Sequence, residues 1–214
     1  KHINKQQYKI YVAKDCPRNN IWRHSLIKND LSKLQYKENR IYDETFMGGP
    51  FFKYGFEILD KMKIPVISYD NLEADDCIAI STKFLKKSYP DNNIYIIAND
   101  MDYLQLACEN IRLVNLKYKD LTDSKNCFKD KDKDLFCKIV MGDKSDGIPS
   151  IFKKCGIKTA EKCYEDKEYF HNRLKQEDAY ERYELNKKLV DFKNHNLHVV
   201  GGASSTHSAM EVVL

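Results

Sequence analysis

The sequence has no run approaching 18 uncharged apolar residues, so it offers no membrane-spanning helix. Its first ten residues also lack the apolar core of a secretory leader. The seven cysteines include no Cys-x-x-Cys pair, and the two nearest, Cys155 and Cys163, fit neither a zinc knuckle nor a disulfide framework. Reduced thiols and an intracellular setting, cytoplasm or nucleus, are therefore expected. There is no internal repeat, and the one biased segment is a lysine-rich stretch at 117–133.

What is present suits one medium domain, or one domain with a small appendage. The 214 residues are 42% hydrophobic and 32% charged, enough to bury a core beneath a charged surface. The net charge of +4 is unevenly placed: residues 1–63 carry +6, residues 64–116 carry −4 and residues 117–214 carry +2. A basic flank beside an acidic centre suits a protein that binds a polyanion and holds metal.

Four short apolar runs read as strands: Tyr8–Ala13, Ile64–Tyr69, Ile94–Ala98 and Ile111–Leu116. The third is apolar throughout, as expected of a central strand covered on both faces. Helical patterns fall between them at Phe51–Met62, Glu73–Lys87 and Tyr103–Cys108, and this alternation argues for a mostly parallel sheet in an α/β fold. After Leu116 the strand signals stop. Asp134–Met141, Thr159–Tyr164, Glu168–Lys175 and Ala179–Lys193 read as a helical appendage. The division expected is a core over 1–133, a helical region over 134–198 and a tail over 199–214 whose role is opaque.

Acids recur at strand ends and turns. They are Asp15 after the first strand, Glu73, Asp75 and Asp76 opening a helix, Asp100 and Asp102 after the third strand, and Asp143 and Asp146 in a Gly-Asp-Lys-Ser-Asp-Gly turn. The carboxyl ends of parallel strands are where ligands bind. Adjacent carboxylates there repel unless protonated or bridged by a cation. An all-oxygen set without histidine suits Mg²⁺, or Mn²⁺, and disfavours zinc. Two such ions can clamp a phosphodiester during in-line displacement. The Asp130–Asp134 charge run lacks the glycine and terminal acid of a calcium loop and reads as a solvated stretch. Gly156–Thr159 lacks the earlier glycine of a phosphate loop, leaving a helix N-terminus ringed by Lys153, Lys154 and Lys158 that can grip a phosphate.

Taken together, EADD at 73–76, DMD at 100–102, GDKSDGIPS at 142–150 and CGIKTAEK at 155–162 resemble the structure-specific 5′-nuclease (flap endonuclease) family, over about Ile10 to Asp191. The stretch from Asp15 through Trp22-Arg23 and Tyr36–Arg40 resembles its bacteriophage and large-DNA-virus branch. The resemblance implies a PIN-like core and places Asp15, Glu73, Asp75, Asp76, Asp100, Asp102, Asp143 and Asp146 at metal sites. It makes Lys37 and Arg40 catalytic cations at the base of a helical arch spanning roughly 24–50. It also implies a helix–turn–helix DNA grip over 146–162, in many members with a bound K⁺, and DNA contacts from Arg18, Arg23, Lys144, Lys153, Lys154, Lys158 and Thr159.

Two departures stand out. Lys154 occupies a position usually held by glycine, and nothing before Tyr8 resembles the family's first strand with its metal-binding Asp. The expectation is a monomeric, Mg²⁺-dependent nuclease on branched, flapped or nicked DNA. Two alternatives are a branch-binding module impaired in cleavage, and a PIN-type nuclease of single-stranded RNA.

Overall fold

All four apolar runs form strands, each shorter than the run that specifies it. A computed structural model describes residues 8–28, 36–38, 48–125 and 127–193. The strands are β1 (Val12–Ala13), β2 (Val66–Ile67), β3 (Ile94–Ile97) and β4 (Ile111–Val114). They form two parallel pairs among the described residues, not one continuous sheet: β1 with β2 in the register Val12↔Val66, and β3 with β4 in the register Ile94↔Ile111. The intervening helices are α1 (Trp22–Lys28), α2 (Gly48–Lys61) and α3 (Ala74–Ser88). Helix α3 packs against both β1 and β3, and so ties the two pairs together.

The period-2 alternation of a strand decides which residues β3 buries. Ile96 lies in a core with Ala79 of α3, Leu104, Leu113 and Phe192. The expectation of two covered faces does not hold among the described residues: Tyr95 is 57% exposed and Ile97 67%. The apolar composition of the run reports strand propensity, not double burial.

The second half is helical, as α4 (Lys131–Met141), α5 (Ile157–Glu165), α6 (Lys167–Gln176) and α7 (Tyr180–Val190). Helix α4 begins earlier than expected, because the charge run is its first turn. Asp130 accepts from the backbone N–H groups of Asp132 and Lys133, and Lys133 pairs with Glu161 and Glu165 of α5. Likewise the expected helix at 103–108 is a 3₁₀ turn over Met101–Leu106, capped by Asp100.

Of three apolar clusters, two join the halves. One is internal to the second half, around Val140, Ile151, Ala160 and Phe170. A second brings Cys16, Ile21 and Tyr36 from the first half against Ile139, Ile148 and Leu189 from the second. The third receives Phe192, which follows α7 and packs on Tyr103, while Gln105 bonds to the backbone at both Val190 and Phe192. The boundary expected near 133 is thus crossed by buried contacts, and the helical part does not stand apart.

The turn leading into α5 is pinned from α6. Arg173 stacks on Phe152 and donates to the Lys153 carbonyl, and Glu177 accepts from the Lys153 N–H. Lys154 in this turn has φ +51°, the left-handed region that favours glycine. The position therefore keeps a glycine-like conformation at a steric cost of about 1–2 kcal/mol, offset in part by the smaller entropy loss of lysine on folding. Lys154→Gly should raise the stability by up to ~1 kcal/mol, read as a higher urea midpoint at unchanged slope. A midpoint that falls would show that the turn is not held as described.

Candidate active site

Helix α3 opens on three acids because its N-terminus has free N–H groups to satisfy. Glu73 is the N-cap, and its own N–H donates to Asp76 Oδ2 at 3.0 Å. Asp15, just past β1, accepts from the Ala74 N–H at 2.7 Å, locking the strand end to the helix start. Glu73, Asp75 and Asp76 each offer a carboxylate oxygen within 4.8 Å of the others.

Dense negative charge of this kind needs internal cations, and Arg23 is the first. Its guanidinium reaches Glu73 Oε2 at 2.7 Å and Asp76 at 2.7 and 2.9 Å, while its Nε donates to the Leu189 carbonyl. Arg23 is 2% exposed, which corrects the expectation that it contacts DNA. Asp76 is fully buried and also accepts from the Trp22 indole at 2.9 Å. Its oxygens are thus engaged by Arg23, Trp22 and the Glu73 N–H, so its evident work is to hold the site together. Tyr36 adds a hydroxyl hydrogen bond to Glu73 Oε2 at 2.8 Å.

Lys37 is the second internal cation. Its ammonium contacts Glu73 Oε1 and lies 3.8 Å from Asp146, and its N–H donates to the Asp146 carbonyl. Arg18 is exposed at the surface and donates to the Lys37 carbonyl at 3.0 Å. Arg40 lies outside the described residues, as does most of the arch expected over 24–50.

The third cation, Lys138 of α4, was not singled out from the sequence. Its ammonium sits between Asp102 and Asp143, 2.6 Å from the latter. Asp100 caps the 3₁₀ turn by accepting from the Asp102 N–H at 2.9 Å. The loop carrying Asp143 and Asp146 is closed by reciprocal bonds between Asp143 and Ile148. Gly142 is obligatory there, with φ +70° and space for a Cβ only 2.4 Å from two backbone carbonyls. The loop spans the acids: Asp143 meets the Asp102 group, and Asp146 meets the Glu73 group. Lys144, Lys153, Lys154 and Lys158 are exposed on the adjoining surface, and Thr159 is half-buried in the first turn of α5.

Titration follows from these surroundings. Burial, opposed by Arg23 and reinforced by Asp76 and Glu73, pushes Asp75 up to about 7. Burial also dominates at Asp102, where Lys138 opposes it and Asp100 adds to it, and the carboxyl rises to about 6. Asp143 is buried too, but hydrogen bonds from Lys138 and Ser145 prevail and hold it down to about 2. An all-oxygen set with two carboxylates this reluctant to ionise fits a hard divalent cation, which would neutralise them where they stand.

A family model described as the 5′-3′ exonuclease, N-terminal resolvase-like domain, matches residues 1–136. The chain belongs to the 5′-3′ exonuclease family. It is 36% identical over 110 residues to a 5′-3′ exonuclease of Buchnera aphidicola, covering 49% of this chain and 37% of that protein. It is 33% identical over 145 residues to a DNA polymerase I of Caldicellulosiruptor bescii, covering 62% of this chain and 16% of that protein. The chain therefore spans well under half the length of these curated relatives. The D15 protein of bacteriophage T5, crystallised with metal ions, superposes with a TM-score of 0.63 at 19% identity, covering 85% of this chain and 74% of that one. A T5 flap endonuclease in a complex with DNA and metal ions gives 0.62 at 20% identity, covering 85% and 72%. At these identities the structures establish a shared fold, an α/β core of the PIN-like kind.

The carboxyl shifts fix a pH dependence. Asp75 and Asp102 keep protons in the fold at pH values where the unfolded chain, at an ordinary 3.8, has lost them. Their effect is to make stability fall as pH rises from about 4 to about 7, with the full cost present above 7. Asp143 acts oppositely, its contribution being present above about 4 and lost as pH falls toward 2. Divalent cations should stabilise the chain more at pH 8 than at pH 5, since protons and cations compete for the same oxygens. Melting curves with chelator and with millimolar Mg²⁺ at both pH values check this, and a Mg²⁺ increment that shrinks with rising pH contradicts it.

Proposed function

We propose that this chain is the nuclease portion of a divalent-metal-dependent 5′-nuclease that hydrolyses phosphodiesters in branched, flapped or nicked DNA. The observation that carries the reading is the approach of acids from four separate segments, at 15, 73–76, 100–102 and 143–146, with cations already paired among them. Mg²⁺ is the favoured cofactor, with Mn²⁺ as a substitute. Glu73, Asp75, Asp15 and Asp146 would hold one ion, and Asp100, Asp102 and Asp143 a second. When bound, such ions supply Lewis acidity at the phosphorus and lower the pKa of attacking water. Asp76 acts through Arg23, keeping Glu73 and Asp75 in place.

The basic residues divide by position. Lys37 sits among the acids, where its ammonium can turn from Glu73 to a phosphate oxygen as charge develops. Arg40 is its proposed companion. Arg18 orients the Lys37 backbone and faces the substrate side. Lys144, Lys153, Lys154, Lys158 and Thr159 would hold duplex backbone without reading sequence. In this reading the turn shaped by Lys154 is also the candidate seat for K⁺. The functional division proposed is a core over 1–133 and a DNA-gripping region over 134–198 in a monomeric, intracellular enzyme. None of the described helices is long and apolar enough to cross a membrane.

A second reading has an observation of its own. Arg23, Lys37 and Lys138 already pair with Glu73, Asp76, Asp102 and Asp143, so the acids do not depend on metal for compensation. A branch-binding module that no longer cleaves is consistent with that. Incubation of the chain with a labelled 5′-flap and Mg²⁺ separates the two readings, with single-stranded RNA as the control for a ribonuclease. We expect flap cleavage that chelator abolishes. Asp75→Asn and Asp100→Asn should each slow it by roughly two orders of magnitude or more, with binding retained. No cleavage by the unaltered chain would favour the binding module.

The two sets of lysines should fail differently. Lys37→Ala should cut the single-turnover rate more than affinity, because its contribution arises as phosphate charge develops. Lys158→Ala should weaken duplex binding across all sequences and lower the salt slope by about 0.9 for the lost contact. Identical defects in both variants would refute the division of roles.

A further inference from the structure

A second charged site lies on the flank of α3, away from the acids. A partly open cavity of about 350 Å³ is lined by the C-terminal half of α3, the 3₁₀ turn over Met101–Leu106, the first turn of α4 and the residues after α7. That volume is enough for a small ligand. Lys83 stands roughly 14 Å along the α3 axis from Ala74, at 1.5 Å per residue, so the cavity does not share the acidic end of the helix.

Four lysines line it, Lys83 and Lys86 from α3, Lys131 from α4 and Lys193 beyond α7, against a single carboxylate, Asp132. Neighbouring cations on α4 are matched: Lys133 by Glu161 and Glu165, Lys138 by Asp102 and Asp143. Among the described residues the four cavity lysines form no ion pair. Their close partners are neutral. Lys83 Nζ donates to the Phe192 carbonyl at 2.5 Å and Lys86 Nζ to the Cys108 sulfur at 3.1 Å, which leaves each ammonium two further N–H donors. Lys83 is also half-buried, and burial lowers its pKa; the Asp191 carboxylate opposes this, and the charge of Lys193 adds to it. A concave site whose four ammonium groups outnumber the nearby carboxylates, Asp132 and Asp191, is stabilised by an anion of multiple charge, through charge-assisted hydrogen bonds.

We infer that this cavity binds a phosphate-bearing small anion, with Lys83 and Lys86 as its principal contacts. The site is separate from the proposed catalytic centre and does not depend on that centre being active. Phosphate groups could reach it from a free polyphosphate or from DNA backbone. The small volume favours the free anion, because about 350 Å³ admits a compact phosphate and not a stretch of duplex.

Calorimetric titration of the chain with inorganic pyrophosphate, in Mg²⁺-free buffer of low ionic strength, tests this. Saturable binding at one site per chain is expected. Lys83→Gln and Lys86→Gln should each weaken it about tenfold or more, as loss of a charge-assisted bond implies. Lys158→Gln, outside the cavity, should leave it unchanged, and branched DNA should not displace the pyrophosphate. Lys86 is exposed, so its variant keeps the test decisive if Lys83→Gln lowers the melting temperature too far for titration. Absence of saturable binding, equal affinity in the cavity variants, a comparable loss in Lys158→Gln or displacement by DNA would each overturn the assignment.

Discussion

The fold turns on one buried guanidinium. Arg23 belongs to α1, yet its hydrogen bonds run to Glu73 and Asp76 of the α3 start and to the Leu189 carbonyl of α7. Three segments far apart in sequence are thereby fixed to one point, stacked between the rings of Trp22 and Tyr36. Removing one partner of such a buried pair leaves the other charged and unsolvated, at about 3–5 kcal/mol. An arginine suits the position better than a lysine because its planar fork can satisfy two carboxylates and a carbonyl at once. Everything the site requires of Glu73 and Asp75 presupposes that arrangement.

Once Arg23 is in place, the remaining negative charge is divided between two further cations, each placed between two carboxylates. Lys138 is held by Asp102 and Asp143 and lies deep enough that burial alone would favour its neutral form; the two carboxylates keep it charged. Lys37 is attached to a short segment anchored by Arg18 and by the Asp146 carbonyl, and its ammonium contacts Glu73 and lies near Asp146. A lysine ammonium can change partners by rotating its side chain; a guanidinium locked in a fork cannot. The role proposed for Lys37 needs that freedom, and Arg23 lacks it.

The candidate site was largely legible in the sequence, because its acids occur in short motifs at the ends of recognisable strands and turns. The spacing of Glu73, Asp75 and Asp76 places them in one helical turn, and Asp100 and Asp102 follow directly on β3. The internal cations were less legible. Arg23 meets Glu73 and Asp76 only through packing of segments fifty or more residues apart, and Lys138 joins nearby Asp143 to Asp102, 36 residues away, while a basic residue in a helix looks the same whether it faces acids or water. The sheet departs from expectation for a related reason. Apolar composition identified β3 as a strand, but the covering of Tyr95 and Ile97 is a property of neighbours that composition does not encode. Helix α4 starts before its apolar periodicity does, because a run of alternating charge hides its cap: Asp130 accepts from the backbone N–H groups of Asp132 and Lys133.

The loop from Gly142 to Ile148 shows how these constraints combine. Its glycine is required because any side chain would collide with the carbonyls of Ile148 and Pro149, and its closure by Asp143 and Ile148 fixes the loop's two ends together. Asn186 of α7 then donates to the carbonyls of Ile139 and Pro149, binding the loop to the end of α4 and to the same helix that anchors Arg23. Asp143 and Asp146 are consequently held from the α7 side, while Glu73 and Asp76 are held from α1 and from α7 through Leu189. Helix α7 therefore sets the separation of the two acid groups without contributing an acid to either. A change in its packing would alter both groups together, which makes the helical half part of the site's architecture.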